Sequence, residues 1–301
     1  MSADAPPDVS MSPAPIVQGE PAPVADGVFV IPDRRVELVP NVGIVVGDTS
    51  VLVIDTGMGP RNGSYVLERA RALAPGRKMF LTVTHFHPEH GFGAQAFRDE
   101  ATIVFNRGQR TDLRRKGPGY LQMFRGLSAS TAEYLAGVEL VDPDITYEGE
   151  LELDLGARTA LLRSVGPAHT GSDQVVLVDD RVLFGGDLLE TDIFPITPYF
   201  PPYDTDTDGD GWIRLLHELI SWQPEVVVPG HGEVSDINLL HRVAEYLSWV
   251  RDEARRIRRT GVSADTAVAT IDATARQRWP RWERPEWIAH TARAFYDRAE
   301  S

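Results

Sequence analysis

The stretch Thr82-Val83-Thr84-His85-Phe86-His87-Pro88-Glu89-His90-Gly91 decides how the rest of the chain is interpreted. It holds three of the eight histidines and one carboxylate within six residues. The apolar run at 79–83 leads into it, and such a run indicates a buried strand. The cluster therefore lies where a strand ends and a loop begins, which is where functional side chains are usually placed.

The residues of this stretch are of the types that bind metal ions. Neutral imidazole is the commonest protein ligand for zinc, and carboxylates regularly accompany it. In an extended segment His85 and His87 point to the same side, because side chains alternate along the chain. Pro88 then turns the chain, so that Glu89 and His90 can face a second point. One segment could thus give two ligands to each of two metal ions. The alternative is a polar loop with scattered histidines.

Composition and charge narrow the possible partners. The 301 residues are 42% hydrophobic and 25% charged, which is typical of a globular protein with one large domain or two small ones. A net charge of −14 argues against nucleic acid and against anionic membranes as partners. No apolar run approaches the roughly 18 residues of a membrane-spanning helix. We therefore expect a small-molecule substrate, and we leave a homodimer open.

The chain contains no cysteine. This excludes disulfides, thiolate nucleophiles and cysteine-ligated zinc, and it fits a reducing compartment. Residues 1–26 are rich in Pro, Ala, Asp and Ser and have neither the basic start nor the apolar core of a secretory signal. We expect them to form a flexible tail and the protein to be cytoplasmic.

Short strands and helices alternate along the rest of the chain, which indicates a mixed α/β fold. Strands are predicted at 27–32, 36–39, 42–46, 51–57, 79–84, 102–105, 146–147, 151–155, 159–162, 174–178, 181–184 and 224–229. Helices are predicted at 65–73, 92–97, 212–222, 237–259, 263–278 and 285–299.

Three more candidate ligands follow predicted strands. His169 lies in a Gly/Pro loop at 165–173, and His231 lies between two glycines. Asp187 follows Gly185 and Gly186, and glycine permits the backbone to come close to a ligand. A lone histidine is more often structural than a ligand, so these three positions support a metal site only when they are considered together.

The motif His85-x-His87-x-Glu89-His90-Gly91 resembles the HxHxDH metal motif of the metallo-β-lactamase superfamily, with Glu in place of Asp. The segments around His169, Asp187 and His231 also resemble those of that family. The resemblance implies a first metal site of His85, His87 and His169, a second of Glu89, His90 and His231, and Asp187 between them. It further implies that Asp55, at the end of a predicted strand, supports the metal loop from behind.

The family's fold is an αβ/βα four-layer sandwich. The resemblance assigns a catalytic domain of this kind to 27–236, and we interpret 237–301 as a helical C-terminal extension packed on the core. It implies two divalent metal ions, zinc in the first place, with iron or manganese as alternatives. Glu89 and Asp187 would then be catalytic carboxylates as well as ligands.

The function implied is a hydrolase in which a metal-bound hydroxide cleaves an ester, lactone, thioester or amide, including a β-lactam. In one subgroup of β-lactam-cleaving members the position of Asp187 is cysteine, which disfavours that subgroup here. The alternative is an iron-dependent oxidoreductase or sulfur dioxygenase on the same scaffold, and a third class is a non-catalytic relative.

Three further segments bear on the substrate. The aromatic loop after Asp187 predicts a pocket wall, and the candidate substrate contacts are Phe92, Tyr199, Phe200 and Tyr203. The basic stretch at 107–116 is either a solvated helix with a buried face or a lid with a cation for an anionic substrate. The acidic run at 204–210 resembles the start of a calcium loop but lacks its final Glu, so we interpret it as the acidic start of a helix.

Overall fold

Two β-sheets packed face to face form the centre of the molecule in the computed structural model, which describes residues 14–199 and 204–298. Alternate side chains of neighbouring strands fill the space between the sheets, such as Val28 and Val30 from one sheet and Val176 and Val178 from the other. This alternation is the period of two that a strand imposes on its side chains.

The first sheet contains seven strands in sequential order. Its first four strands pair antiparallel and its last four pair parallel, so the fourth strand joins the two kinds of pairing. The strands are β1 Ala22–Ala25, β2 Val28–Ile31, β3 Val42–Val46, β4 Ser50–Ile54, β5 Lys78–Thr82, β6 Thr102–Asn106 and β7 Ile145–Tyr147.

The second sheet contains five strands in the order β12-β11-β10-β9-β8. All pairs are antiparallel except β11 with β12, which is parallel. The strands are β8 Glu150–Asp154, β9 Thr159–Ser164, β10 Gln174–Val178, β11 Val182–Glu190 and β12 Val226–His231.

Helices cover the outer face of each sheet. Helices α1 and α3 share a core with the first sheet, while α5 to α8 share a core with the second. The layers are therefore helix, sheet, sheet, helix, which is the predicted αβ/βα sandwich. The helices are α1 Gly59–Leu73, α2 Pro88–Gly91, α3 Arg107–Arg125, α4 Ala129–Tyr134, α5 Gly209–Ser221, α6 Ile237–Arg258, α7 Ala264–Arg278 and α8 Trp287–Arg298.

The C-terminal helices are tied to the loop that follows β11. The backbone N–H of Phe194 donates to the carbonyl of Glu283 (3.0 Å), and the N–H of Glu283 donates to the carbonyl of Asp192 (2.8 Å). The Thr291 hydroxyl on α8 donates to the carbonyl of Pro195 (2.7 Å). The region predicted as an extension thus shapes the loop next to Asp187.

Three local predictions differ from the structure. Part of the predicted tail is ordered, because Ala22–Ala25 pairs with β2 and Val17 is buried; residues 1–13 lie outside the described part. The predicted strand at 36–39 is a series of turns, in which Leu38 takes a positive φ that a strand cannot accommodate. The predicted helix at 92–97 is a short 3₁₀ helix, Ala94–Phe97.

Within the described residues, every helix is too short or too polar to cross a membrane.

Candidate metal centre

The loop after β5 takes its shape from buried hydrogen bonds to Asp55, the first residue after β4. Asp55 accepts from the backbone N–H of Thr84 (2.7 Å) and from the Thr84 hydroxyl (2.9 Å). Pro88 begins α2 immediately afterwards, and its fixed φ suits the first turn of a helix. That turn carries Glu89 and His90 to a different point from His85.

The candidate ligands gather in two groups that share one residue. In each group the ligand atoms lie within 4.8 Å of one another. The first group is His85, His87, His169 and Asp187, and the second is Glu89, His90, Asp187 and His231. All seven residues named from the sequence are therefore together at one edge of the sandwich, where they lie after β5, after β9, in β11 and at the end of β12.

Hydrogen bonds outside the groups fix the orientation of the imidazole rings. The Nδ1 atom of His90 lies 2.9 Å from Asp55, that of His169 lies 3.1 Å from the carbonyl of Ile196, and that of His231 lies 2.9 Å from the carbonyl of Val39. In each ring the other nitrogen, Nε2, faces Asp187, at 3.1, 3.8 and 3.5 Å respectively. Such outer partners set the tautomer and direction of metal-binding histidines.

His87 is turned the other way. Its Nε2 atom lies 3.1 Å from Asp204, and its Nδ1 atom lies 3.4 Å from His169 Nε2. Asp204 is fully buried, and it also accepts from the ammonium of Lys116 (2.9 Å) and from the Tyr120 hydroxyl. The Tyr120 ring stacks on the His87 ring, with centroids 4.9 Å apart. A buried network from α3 thus holds His87 in place.

Neither Asp204 nor Lys116 was identified as a support of the site from the sequence. Asp204 and Asp206 begin the acidic run that resembles a calcium loop, but in the structure both bind Lys116 instead (2.9 and 2.7 Å). The spacing of Lys116 and Tyr120, four residues apart, places them on the same face of a helix. That signal indicates a shared face but not what the face meets.

Close packing around Asp187 requires glycine at two neighbouring positions. A Cβ atom on Gly230 would lie 2.0 Å from Asp187 Oδ1. Gly186 has a φ of +53°, and a Cβ atom there would lie 2.6 Å from the Thr84 side chain. The first glycine lets β12 lie close to β11 at this carboxylate, and the second lets β11 lie close to the loop after β5, which comes from the other sheet.

The donor set fits divalent cations. Four buried atoms of the candidate ligands make no hydrogen bond among the described residues: His85 Nε2, Glu89 Oε2, His90 Nε2 and Asp187 Oδ1. Buried polar atoms are normally satisfied, so an orphaned set of this kind calls for an ion or water. Imidazole with carboxylate is a donor set that suits zinc, iron and manganese.

Burial and neighbouring carboxylates shift the pKa values of the histidines in opposite directions. Burial lowers the pKa of His169 to about 4 and lowers the pKa of His85 well below its ordinary value, so both are neutral near pH 7. Burial also acts to lower the pKa of His90, but the carboxylates of Asp187 and Asp55 outweigh it and hold that pKa well above its ordinary range. A bound cation would take the place of the His90 proton.

A cavity of about 310 Å³ opens above the two groups. Five of the candidate ligands form its floor: His87, Glu89, His169, Asp187 and His231. The walls come from the 33–38 loop, from α3, from the loop after β11 and from the segment at 283–287. The volume is at the small end of the range for small-molecule sites.

The predicted substrate contacts fare differently. Phe92 is only 2% exposed and packs in the core beneath the first sheet, so it does not line the cavity, and this prediction was wrong. Phe92 belongs to the same buried cluster as Val66 and Leu67 of α1. Tyr199 is 45% exposed and is not among the lining residues. Phe200 and Tyr203 lie outside the described residues.

The basic stretch is the start of α3; its arginines are engaged by acids on the surface, whereas Lys116 is buried beside Asp204. Arg107 pairs with Glu148, while Arg110 and Arg114 pair with Asp142. None of its described cations lines the cavity. The structure therefore favours the solvated helix with a buried face, although the apolar face further along α3 does form a wall.

The sequence profile of the metallo-beta-lactamase superfamily matches residues 35–231 of the chain. That range contains all seven candidate ligands. A comparison with curated protein sequences gives no match.

Solved structures show the same fold. The chain is similar to a metallo-beta-lactamase from Pontibacter korlensis (TM-score 0.60, 19% identity, 77% of this chain and 99% of that chain). It is similar to the DIM-1 metallo-beta-lactamase (0.57, 17%, 76% and 96%). It is also similar to the stereoselective inverting sec-alkylsulfatase Pisa1 from Pseudomonas sp. (0.73, 14%, 93% and 50%), so it spans half of that chain.

Proposed function

The chain belongs to the metallo-β-lactamase superfamily, and on this premise we propose that it is a metal-dependent hydrolase of a small carbonyl compound. The proposed substrates are esters, lactones, thioesters and amides, β-lactams included. The observation that carries the proposal is the pair of histidine and carboxylate groups that share Asp187 and face a closed-in cavity.

We propose that each group binds one divalent cation, zinc in the first place. His85, His87 and His169 would bind the first, and Glu89, His90 and His231 the second, with Asp187 contributing to both. When bound, such cations lower the pKa of water from 15.7 to about 7 and polarise a carbonyl group, which supplies both the nucleophile and the electrophile of a hydrolysis.

The chain's own residues prepare this chemistry. Asp55 and Asp204 hold the rings of His90 and His87 through charge-assisted hydrogen bonds, so the inner nitrogen atoms need not reorganise. Glu89 and Asp187 bring negative charge to a buried floor, which offsets the charge of the cations. The apolar side chains that line the cavity would keep bulk water from a substrate that lies on that floor.

Elemental analysis of the purified protein, combined with a substrate panel, tests the proposal. We expect about two zinc ions per chain and hydrolysis of at least one ester, lactone, thioester or β-lactam that is lost on treatment with a chelator. Iron at about one per chain with oxygen uptake would instead support the dioxygenase alternative. Metal-loaded protein that cleaves nothing in the panel would contradict a hydrolase.

A substrate panel is needed because the fold does not determine which bond is cleaved. The structures that the chain resembles are named as metallo-beta-lactamases and as an alkylsulfatase, and all are less than 25% identical to it. A shared scaffold does not determine the substrate, because the substrate is selected by the cavity walls.

A further inference from the structure

The walls of the cavity are apolar in two regions that come from different parts of the chain. One is a ridge on α3 and just beyond it, formed by Met123, Phe124 and Leu127. The other is formed by Trp287, at the start of α8, and by Ile193 and Ile196 in the loop after β11. We call these residues the apolar walls. Leu127 is 56% exposed at the mouth, which is unusual for a large apolar side chain.

The cations that face the cavity are already paired. Among the described lining residues these cations are Arg35 and Arg284. Arg35 binds Glu233 with two of its nitrogen atoms and lies 3.5 Å from Glu283. The Arg35 guanidinium therefore already has a carboxylate in the two-nitrogen geometry that it prefers.

Arg284 is also paired and lies close to Arg35, because Arg35 contacts the neighbouring residue Glu283. Its guanidinium lies 3.2 Å from Glu37 and 3.6 Å from Glu286. The carboxylate of Asp33 also lines the cavity, where it accepts from the backbone N–H of Gly232 (2.8 Å). Acids therefore outnumber cations around the mouth, so an anionic group on a substrate would displace an existing ion pair and face the released carboxylate.

We propose that the apolar walls form a subsite for an uncharged hydrocarbon part of the substrate, so that the substrate class is neutral carbonyl compounds with an apolar chain or ring. This inference rests on the proposed hydrolase, whose cations would hold the carbonyl end at the floor. The far end of the substrate then packs between the α3 ridge and Trp287. A charge of either sign packed between these apolar side chains would lose its hydration, and an anion would in addition find both lining arginines already paired.

Binding of simple primary amides to the zinc-loaded protein, with the amide shown to be intact after each titration, tests the subsite separately from catalysis. Acetamide, hexanamide and octanamide differ only in chain length, while adipamate and 6-aminohexanamide match hexanamide in length but end in a carboxylate and an ammonium. We expect the affinity measured by calorimetry to rise with chain length, by up to about fourfold per buried methylene. We expect hexanamide to bind at least about tenfold more tightly than either charged compound.

Variants of the apolar walls show where the chain binds. Leu127→Ala and Trp287→Ala should each reduce the ratio of octanamide to acetamide affinity. The matched control is Ile145→Ala, because Ile145 is a large apolar residue of similar exposure (44%) that does not line the cavity. Leu127→Ala removes only an exposed side chain, so it remains informative if Trp287→Ala fails to fold.

Hydrolysis of methyl acetate, methyl hexanoate, methyl octanoate and monomethyl adipate, followed by acid release, gives the second readout. We expect kcat/KM to rise along the neutral series and to fall for monomethyl adipate relative to methyl hexanoate. Affinity that is independent of chain length, or tighter binding of adipamate or 6-aminohexanamide, would overturn the subsite even if esters are cleaved. Chain-dependent amide binding without cleavage of any substrate would support the subsite and count against the hydrolase.

Discussion

The two groups of candidate ligands share Asp187 but are supported by different kinds of structure. In the second group His90 is held by Asp55, which directly follows β4, next to the strand that precedes the metal loop. In the first group His87 is held by Asp204, which comes from an irregular segment and depends on Lys116 and Tyr120 of α3. One support is part of a sheet edge, and the other is a buried charge network.

The groups also differ in their donors and exposure. The first has three histidines and one carboxylate, whereas the second has two of each, including Glu89. The His169 side chain is 2% exposed and the His231 side chain is 12% exposed. A well-enclosed, histidine-rich group favours tight binding of zinc. We therefore expect the first group to bind its cation more tightly than the second, and the following variants test that difference.

The largest effect is expected from His87→Ala, which removes a ligand of the first group and leaves Asp204 without its histidine. Hydrolysis should fall to the background rate, and bound metal should fall by about one ion per chain, because three histidines are needed to close this site. Elemental analysis and rate measurements check both. His217→Ala is the control, since His217 is exposed on α5. Full turnover by the His87 variant would refute the site.

Glu89→Ala should affect the second group alone. It removes one carboxylate from a group that retains His90, His231 and Asp187. We expect the second cation to be lost while the first remains, with a fall in rate of about 100-fold or more, because a two-metal site depends on both cations. Competition with a chromophoric chelator measures the two affinities separately. If neither metal content nor rate changes, Glu89 is not a ligand.

Asp204→Asn tests the charge network that supports the first group. Asparagine keeps an oxygen atom beside His87 Nε2 but removes the negative charge, and outer partners of this kind typically contribute about 10- to 100-fold to metal affinity. We expect the tighter of the two metal affinities to weaken by about that factor.

Asp206→Asn is the matched control for Asp204→Asn. Asp206 also binds Lys116 (2.7 Å) but is not a partner of His87, so this change disturbs the network without touching the ligand. Equal losses of metal affinity in the two variants would mean that Lys116, rather than the contact with His87, is what matters. Thermal unfolding of both metal-free variants separates a loss of affinity from a loss of fold.

The same contrast explains what the sequence could predict. The apolar strands that lead to Asp55 and His85, and those that contain Asp187 and His231, repeat simple patterns, so the sheets and the candidate residues on them or just after them were predictable. The motif resemblance then identified all seven candidate ligands. Both signals are local in the chain, because a strand and the residue that ends it are neighbours in sequence.

The network around His87 has no such signal. Asp204 is 117 residues from His87, and only the folded chain brings the two into contact beside α3. The same limit explains the wrong prediction for Phe92, which was expected to contact the substrate but packs in the core. Likewise, Ala22–Ala25 lacks a strand-like pattern and becomes a strand only by pairing with β2.

Glu89→Asp should have the smallest effect and is the most direct test of the second group. The family's usual residue is Asp, and the shorter side chain withdraws the carboxylate by about one methylene. The Glu89 side chain is buried, and its Oε2 atom has no hydrogen-bond partner among the described residues, so no existing contact of that oxygen would be lost. We expect the rate to stay within about tenfold of the original and the second cation to remain bound, because carboxylate charge and donor type are unchanged. Loss of the second cation in this variant, with the first retained, would show that the surrounding rings are spaced for the longer side chain and that Glu89 sets the geometry of the second group.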